Sequence, residues 1–243
     1  MNTARPPEGA ACGAEVLAVR DLRFAWPGSR TDCLDIAAFA VEAGETVFVH
    51  GPSGCGKSSL LALLAGVLLP PQGQVVLAGR DWQSLSRSGR DHWRVEHVGY
   101  IFQQFNLLPY LSVRDNVLLP CRFSATRRAA AAARGGSAEA QAEHWLAAMG
   151  LARELWQRTP GTLSVGQQQR VAAARALIGA PTLVIADEPT SALDEDLRNA
   201  FVDLLLDACA QARSALVFVS HDRRIAERFG RQVALPQINR VMP

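Results

Sequence analysis

Glu45-Thr46-Val47-Phe48-Val49-His50-Gly51-Pro52-Ser53-Gly54-Cys55-Gly56-Lys57-Ser58-Ser59 is the stretch that decides how this chain folds. Its first six residues form a short apolar run of strand character, and Ser58 to Ala65 has the composition of a helix. A glycine loop of pattern GxxxxGK[ST] therefore joins a buried strand to a helix N-terminus. Glycines at 51, 54 and 56 let consecutive backbone N–H groups turn inward, and the helix end adds partial positive charge, which together make a nest for a di- or triphosphate. Lys57 is the single lysine among 25 basic residues, the rest being arginine. Guanidinium is a broad planar fork, whereas a compact ammonium enters a phosphate cradle as a point charge, so the exception points to chemistry. Ser58 then offers a hydroxyl to Mg²⁺.

Working outward, Thr46 to Val49, Val98 to Phe102, Leu183 to Ala186 and Leu216 to Val219 are apolar without alternation. Such runs read as parallel strands covered on both faces, and helical patterns lie between them, so the fold class is α/β with a central sheet. Leu17 to Gln83 is strand-rich, with a turn at Pro70-Pro-Gln-Gly73 before a strand over Gln74 to Ala78. After Phe102 helices take over. Thr126 to Ala140 is an Arg/Ala tract broken by Gly135-Gly136, which predicts an exposed helix and hinge with little packing demand.

Composition narrows the function classes. With 243 residues, 49% of them hydrophobic, there is enough chain for a sizeable core without staples. A net charge of +2 gives no pull toward nucleic acid. The five cysteines (12, 33, 55, 121, 209) are scattered, with no CxxC pair, which suits reduced thiols better than disulfides or zinc. Residues 1–14, rich in Pro, Ala and Gly, read as a flexible N-terminus and not as a secretory signal. No apolar stretch reaches membrane-spanning length, so any membrane role is expected through a partner chain.

A second set of polar residues falls at strand and helix ends. Asp187 and Glu188 close the apolar run from Thr182, at the sheet edge where ligands of α/β proteins bind. There Asp187 can hold Mg²⁺ beside Ser58, and Glu188 can orient or deprotonate an attacking water. Leu163-Ser164-Val165-Gly166-Gln167 opens a helix; Ser164 and Gln167 match a capping box, yet the same terminus is an exposed anion site. From the residues alone, Trp26 reads as an aromatic packed at a strand end and His221 as a helix-start hydrogen bonder.

In order and spacing these elements resemble the ATP-binding cassette ATPases over nearly the whole chain. Gly51 to Ser58 is similar to the family's Walker A, Gln103 in Tyr-Ile-Phe-Gln-Gln to its Q-loop glutamine, and Leu163 to Gln167 to its signature. Thr182 to Glu188 resembles Walker B with its catalytic glutamate, Ser191-Ala-Leu-Asp194 the D-loop, and His221 the switch histidine. The resemblance implies a P-loop NTPase, RecA-like core with an N-terminal antiparallel β subdomain (about 15–90 and 163–243) and an inserted α-helical subdomain (about 91–162). It implies ATP and Mg²⁺, with Glu188, His221, Lys57 and Gln103 catalytic and Ser58, Gln103 and Asp187 on the metal. Nucleotide would be held by Trp26, Gly51, Pro52, Ser53, Gly54, Cys55, Gly56, Lys57, Ser58, Ser59 and Gln103 of one copy, and Leu163, Ser164, Val165, Gly166, Gln167 and Asp194 of a second.

Two departures from the pattern stand out. Val165 occupies a position where the family usually has glycine; a β-branched residue resists positive φ, which predicts a slower site. Trp26 stands where tyrosine is common.

Phe102 to Pro120 is similar to the branch containing lipoprotein-release, macrolide-export and cell-division ATPases. That implies an integral membrane permease partner of the four-span type with a large extracytoplasmic domain, a homodimer on ATP binding, no nucleic acid, and a peripheral place at the cytoplasmic face of the inner membrane. The apolar strip itself is either a groove rim for a partner helix or core of the helical lobe. The alternative function is a non-transport ATPase regulating an envelope or cell-division complex; a DNA-associated ATPase or small-molecule kinase lacks support in the motifs.

Overall fold

Residues 14–29 and 31–241 are described by the computed structural model. The flexible segment expected over 1–14 falls outside them except for Ala14, as does Cys12. Four strands form an antiparallel sheet, β1 (Glu15–Phe24), β2 (Leu34–Glu42), β4 (Gln72–Leu77) and β5 (Arg80–Asp81), in the order β2-β1-β4-β5. Along β2, Leu34, Ile36, Phe39 and Val41 are buried while their neighbours are not, the pattern of a sheet covered on one face.

The second sheet is parallel, with β6 (Val98–Ile101), β7 (Leu183–Asp187), β8 (Ala215–Val219), β3 (Thr46–His50) and β9 (Arg231–Ala234) in the order β6-β7-β8-β3-β9. Alternate residues of each strand go to opposite faces, and both faces are covered. Val47, Val49, Leu183, Ile185, Val217 and Val219 pack with the antiparallel sheet and helix α1 (Lys57–Leu64). Phe48, Ile101, Val184, Ala186, Leu216 and Phe218 pack on the other side with helices α6 (Val165–Leu177) and α7 (Glu195–Ala212). Each such side chain is worth about 1.5–3 kcal/mol when fully buried, which is why these runs read as strands without alternation. β9 escapes that reading because among its residues only Val233 is buried.

Between the sheets' strands run α2 (Arg87–His97), α3 (Val113–Phe123), α4 (Ala125–Gly135) and α5 (Ala138–Ala148), with α8 (Leu235–Ile238) near the end of the described chain. Within residues 91–162, β6 hydrogen-bonds to β7 in the parallel sheet, and α3 to α5 follow it.

Two expectations for this stretch are corrected. The Arg/Ala tract does carry a packing demand: Arg127 is 2% exposed and donates to the carbonyls of Val95, Val98 and Ala176. The break at Gly135-Gly136 is real, and a Cβ on Gly135 would meet Gln141 at 2.8 Å, so the helices pack tightly at the bend. The apolar strip from Phe102 to Pro120 divides: Phe105, Val113, Val117 and Leu118 are core, while Phe102 and Tyr110 are exposed. Asn116, fully buried, ties the intervening loop by accepting from Leu108 N and donating to Leu108 O and Ser112 O.

Candidate nucleotide site

Register brings the glycine loop after β3, the paired carboxylates after β7 and His221 after β8 to one edge. Val219 of β8 pairs with Asp187 of β7 on one side and Val49 of β3 on the other, so the loops leaving these three strands start level. Glu188 N donates to Val219 O at 3.0 Å and Ser220 N to Val49 O at 3.3 Å, which carries the alignment one residue past the strands.

The loop after β3 is built around its glycines. Gly56, the N-cap of α1, has φ 98, and a Cβ there would meet Leu34 at 2.8 Å. Lys57 is 9% exposed; its Nζ donates to Gly51 O and Pro52 O at 3.0 Å each and lies 4.0 Å from Glu188 Oε1. Trp26, Ser53, Gly54, Gly56, Lys57, Ser58, Ser59 and Glu188 line one cavity of about 440 Å³. Trp26 is half-exposed there, set edge-to-face on Phe24, so it is not a core residue. Pro52 and Cys55 face a neighbouring cavity, and Gly51 lies under His50 and His221.

Electrostatics concentrate at the end of β7. Burial first, and the adjacent Glu188 second, push the Asp187 carboxyl above its ordinary range, with Lys57 pulling the other way. Glu188 sits at φ 43, in the left-handed region uncommon for a non-glycine residue, and its Oε2 lies 3.4 Å from His221 Nδ1. Nearby His50 is held below the usual imidazole range by burial and by Arg223. Gln103 lies exposed on the turn directly after β6, at the same sheet edge, and lines neither cavity described here.

Ser164, Val165, Gly166, Gln167 and Asp194 line a second cavity, of about 390 Å³, that shares no lining residue with the first. Ser164 caps α6 with a complete capping box: its Oγ accepts from Gln167 N at 3.3 Å, and Gln167 Oε1 accepts from Ser164 N at 3.0 Å. Asp194 caps α7 by accepting from Leu197 N at 2.9 Å. Leu163 is buried and turned to the core instead. Val165 corrects the steric expectation: it is the first residue of α6, half-exposed and with helical φ, so there is no positive φ for a β-branched residue to resist. Gly166 also has helical φ, and a Cβ would touch only Leu193, at 3.9 Å.

Sequence reasoning missed Cys33, which lines the nucleotide-side cavity and whose thiol lies 3.7 Å from Ser59 Oγ. It belongs to no local motif, and only the fold brings the segment before β2 to α1.

The donor set also fits a hard cation. Ser58 and Asp187 offer oxygen ligands, and Asp187 and Glu188 carry more negative charge than Lys57 offsets. No cluster of three His, Cys, Asp or Glu exists among the described residues, so the remaining ligands would be phosphate oxygens and water, as is usual for Mg²⁺.

Comparison with known proteins places the chain in a family. The family model described as ABC transporter matches residues 34–191. Among curated relatives, the lipoprotein-releasing system ATP-binding protein LolD of Legionella pneumophila (strain Paris) is 39% identical over 207 residues, 85% of this chain and 88% of that protein. LolD of Xanthomonas campestris pv. campestris (strain 8004) is 38% identical over 208 residues, 86% and 84% of the two chains. Among solved structures, a dimeric post-hydrolysis ATP-binding cassette bound to ADP and Pi superposes with a TM-score of 0.75 at 28% identity, covering 90% of this chain and 94% of that one. The chain thus belongs to the ABC transporter family, as an ATP-binding and ATP-hydrolysing cassette.

Proposed function

We propose that the chain drives an envelope export complex of the lipoprotein-releasing type, working as a head-to-tail pair in which each ATP is closed between the phosphate loop of one copy and the 163–167 segment of the other. The observation that carries this is that residues of the glycine loop and of the 163–167 segment line two cavities with no lining residue in common, which in this reading each supply half of a triphosphate site. Gly166 supports it. Its φ is helical and a Cβ has room within the chain, so the fold itself does not require glycine; an approach from outside does.

Lys57 and the loop N–H groups bind and orient the β- and γ-phosphates, exchanging the carbonyls of Gly51 and Pro52 for phosphate oxygens. Trp26 offers an indole face to the base at the cavity mouth. Ser58 and Asp187, with Gln103 from the adjoining turn, would hold Mg²⁺, which supplies charge neutralisation on the phosphates. Glu188 takes the proton of the attacking water, and His221, beside it, keeps that water and the carboxylate aligned. Loss of the γ-phosphate removes contacts that exist only in the closed pair, so hydrolysis opens it.

The partner is an integral membrane permease, expected to have four spans and a large extracytoplasmic domain, and Phe102, beside Gln103 in the chain, and Tyr110 present exposed aromatic surface for it. No helix among the described residues is long and apolar enough to cross a membrane. The cassette accordingly sits at the cytoplasmic face through that partner.

Glu188→Gln tests the reading. It keeps the side chain's size and removes the base, so light scattering in saturating Mg-ATP should show a stable dimer with little turnover. A variant that stays monomeric there overturns the closed pair.

A further inference from the structure

The switch loop and the start of α7 are tied together by ion pairs that the nucleotide chemistry does not explain. Arg198 Nη1 lies 2.7 Å from Asp222 Oδ2, with the two side chains only 11% and 10% exposed. Arg224 Nη2 reaches the same oxygen at 2.8 Å, and its Nη1 is 3.0 Å from Glu195 Oε2. Asp222 Oδ1 meanwhile accepts from Arg224 N and Nε, so both carboxylate oxygens are engaged, with Arg224 in the turn that follows His221 and with Arg198 of α7.

His221 needs that support. Its side chain is 66% exposed, and its ion-pair partner among the described residues is Glu188. A ring with so little packing is aimed by the backbone it hangs from. On one flank Ser220 fixes that backbone, its N–H donating to Val49 O and its Oγ accepting from Asp222 N at 3.1 Å. On the other flank the fixing group is Asp222. Exposed ion pairs are worth little, but the Arg198–Asp222 pair is close to fully buried and shares its carboxylate with a second arginine.

Arg198 also stands one turn past Asp194, to whose carbonyl its own N–H donates at 3.0 Å. The same first turn of α7 lines the second cavity through Asp194 and Leu197. One short rigid piece of helix therefore touches the cavity of the 163–167 segment at its tip and holds the flank of His221 a turn later.

We propose that Arg198 is a positioning residue: by gripping Asp222 it aims His221 at Glu188, and it makes occupancy of the second cavity felt at the phosphate loop of the same chain. The inference rests on the head-to-tail reading, in which those two cavities serve different ATP molecules.

The test compares Arg198→Met, Arg198→Lys and the unaltered chain in three measurements: turnover against ATP concentration, ATP binding, and amide hydrogen exchange over 220–224. Arg198→Met should lower kcat by about tenfold with KM and ATP affinity little changed, and bring the Hill coefficient of turnover toward one. Exchange at 222–224 should quicken, and Arg198→Lys should recover part of the lost kcat. Unchanged kcat and Hill coefficient, or a loss carried by KM, overturns the proposal. If the unaltered chain shows no cooperativity and no ATP-dependent dimer, the head-to-tail reading fails first. The exchange measurement needs no turnover, and unaltered protection at 222–224 in Arg198→Met refutes the positioning role by itself. Should the methionine variant not fold, Arg198→Gln carries the same comparison, because it keeps a polar side chain and removes the charge that pairs with Asp222.

Discussion

Gly166 separates what a residue does for the fold from what it does for the reaction. Alanine is favoured over glycine inside a helix by roughly 0.5–1 kcal/mol, and here its methyl would meet nothing closer than Leu193 at 3.9 Å. Gly166→Ala should therefore keep or slightly raise the melting temperature while lowering ATP turnover at least tenfold, because in the proposed pair the added carbon stands where a partner's phosphate approaches. A variant both stable and fully active would remove the reason for reading 163–167 as a ligand site. Val165 was misread for a related reason: the residue type was weighed against a turn with positive φ, and the chain places it in the helix instead. Asp222 makes a prediction in pH. Hydrogen bonding from Arg224 above all, with the charges of Arg198 and Arg224, lowers its carboxyl to about 2 from an ordinary 3.8. A carboxyl depressed in the folded state contributes stability that is complete above the unfolded value and is lost as pH falls through the folded one. Asp222→Asn should thus flatten the loss of stability between about pH 4 and pH 2, followed by urea midpoints at each pH, and leave the curve above pH 5 parallel to that of the unaltered chain. An identical acid limb in the two proteins would show that the carboxylate is not held in the fold.

Arg127 joins three elements and shows where local pattern stops being informative. It leaves α4 to reach the carbonyls of Val95 and Val98, at the end of α2 and the start of β6, and of Ala176 in the last turn of α6. Burial pushes its guanidinium down to about 10, and its charge is met by the carbonyl ends of two helices instead of a carboxylate. Nothing in an Arg/Ala tract reveals which arginine will be enclosed, because the carbonyls that enclose Arg127 lie 29 to 49 residues away along the chain. The same distinction runs through the whole reading. The phosphate loop and the central parallel strands were legible because each is written in consecutive residues, by glycine spacing or an unbroken apolar run. β9 was not, since an edge strand with one buried residue has no such signature. Nor was the grip of Arg198 on Asp222, which needs α7 and the switch loop to be folded against each other before it exists. Arg127→Met should cost about 1–3 kcal/mol, the range for leaving buried acceptors unsatisfied, read as a lower urea midpoint with an unchanged slope. Stability equal to the unaltered chain would mean that water replaces the guanidinium in full.

At the scale of the assembled molecule, the proposed sharing of each nucleotide between two chains makes a prediction that a one-chain site cannot. Lys57→Ala removes the ammonium from the phosphate loop and leaves the 163–167 segment whole. Gly166→Leu blocks that segment and leaves the loop whole. Each homodimer then carries two broken sites, and each variant alone should hydrolyse ATP at or near background. In a mixed pair the arithmetic changes, because the loop of the glycine variant meets the intact segment of the lysine variant: one site is complete and the other is broken twice. Random mixing makes about half the pairs mixed, each with one good site of two, so recovery should approach about a quarter of the unaltered rate if the sites turn over independently. If coupling through α7 and Asp222 is needed for full speed, recovery falls short of that figure, and the shortfall measures the coupling. The Arg198→Met substitution placed on the lysine-variant chain sharpens the point. Its α7 then contributes to the intact cavity of the 163–167 segment while its own His221 serves the broken site, so any further drop in rate reports transmission between the two cavities and not damage to the working His221. A mixture no more active than its components, in which a tag on one variant captures none of the other in Mg-ATP, would sink both the paired arrangement and the role of Arg198 that depends on it.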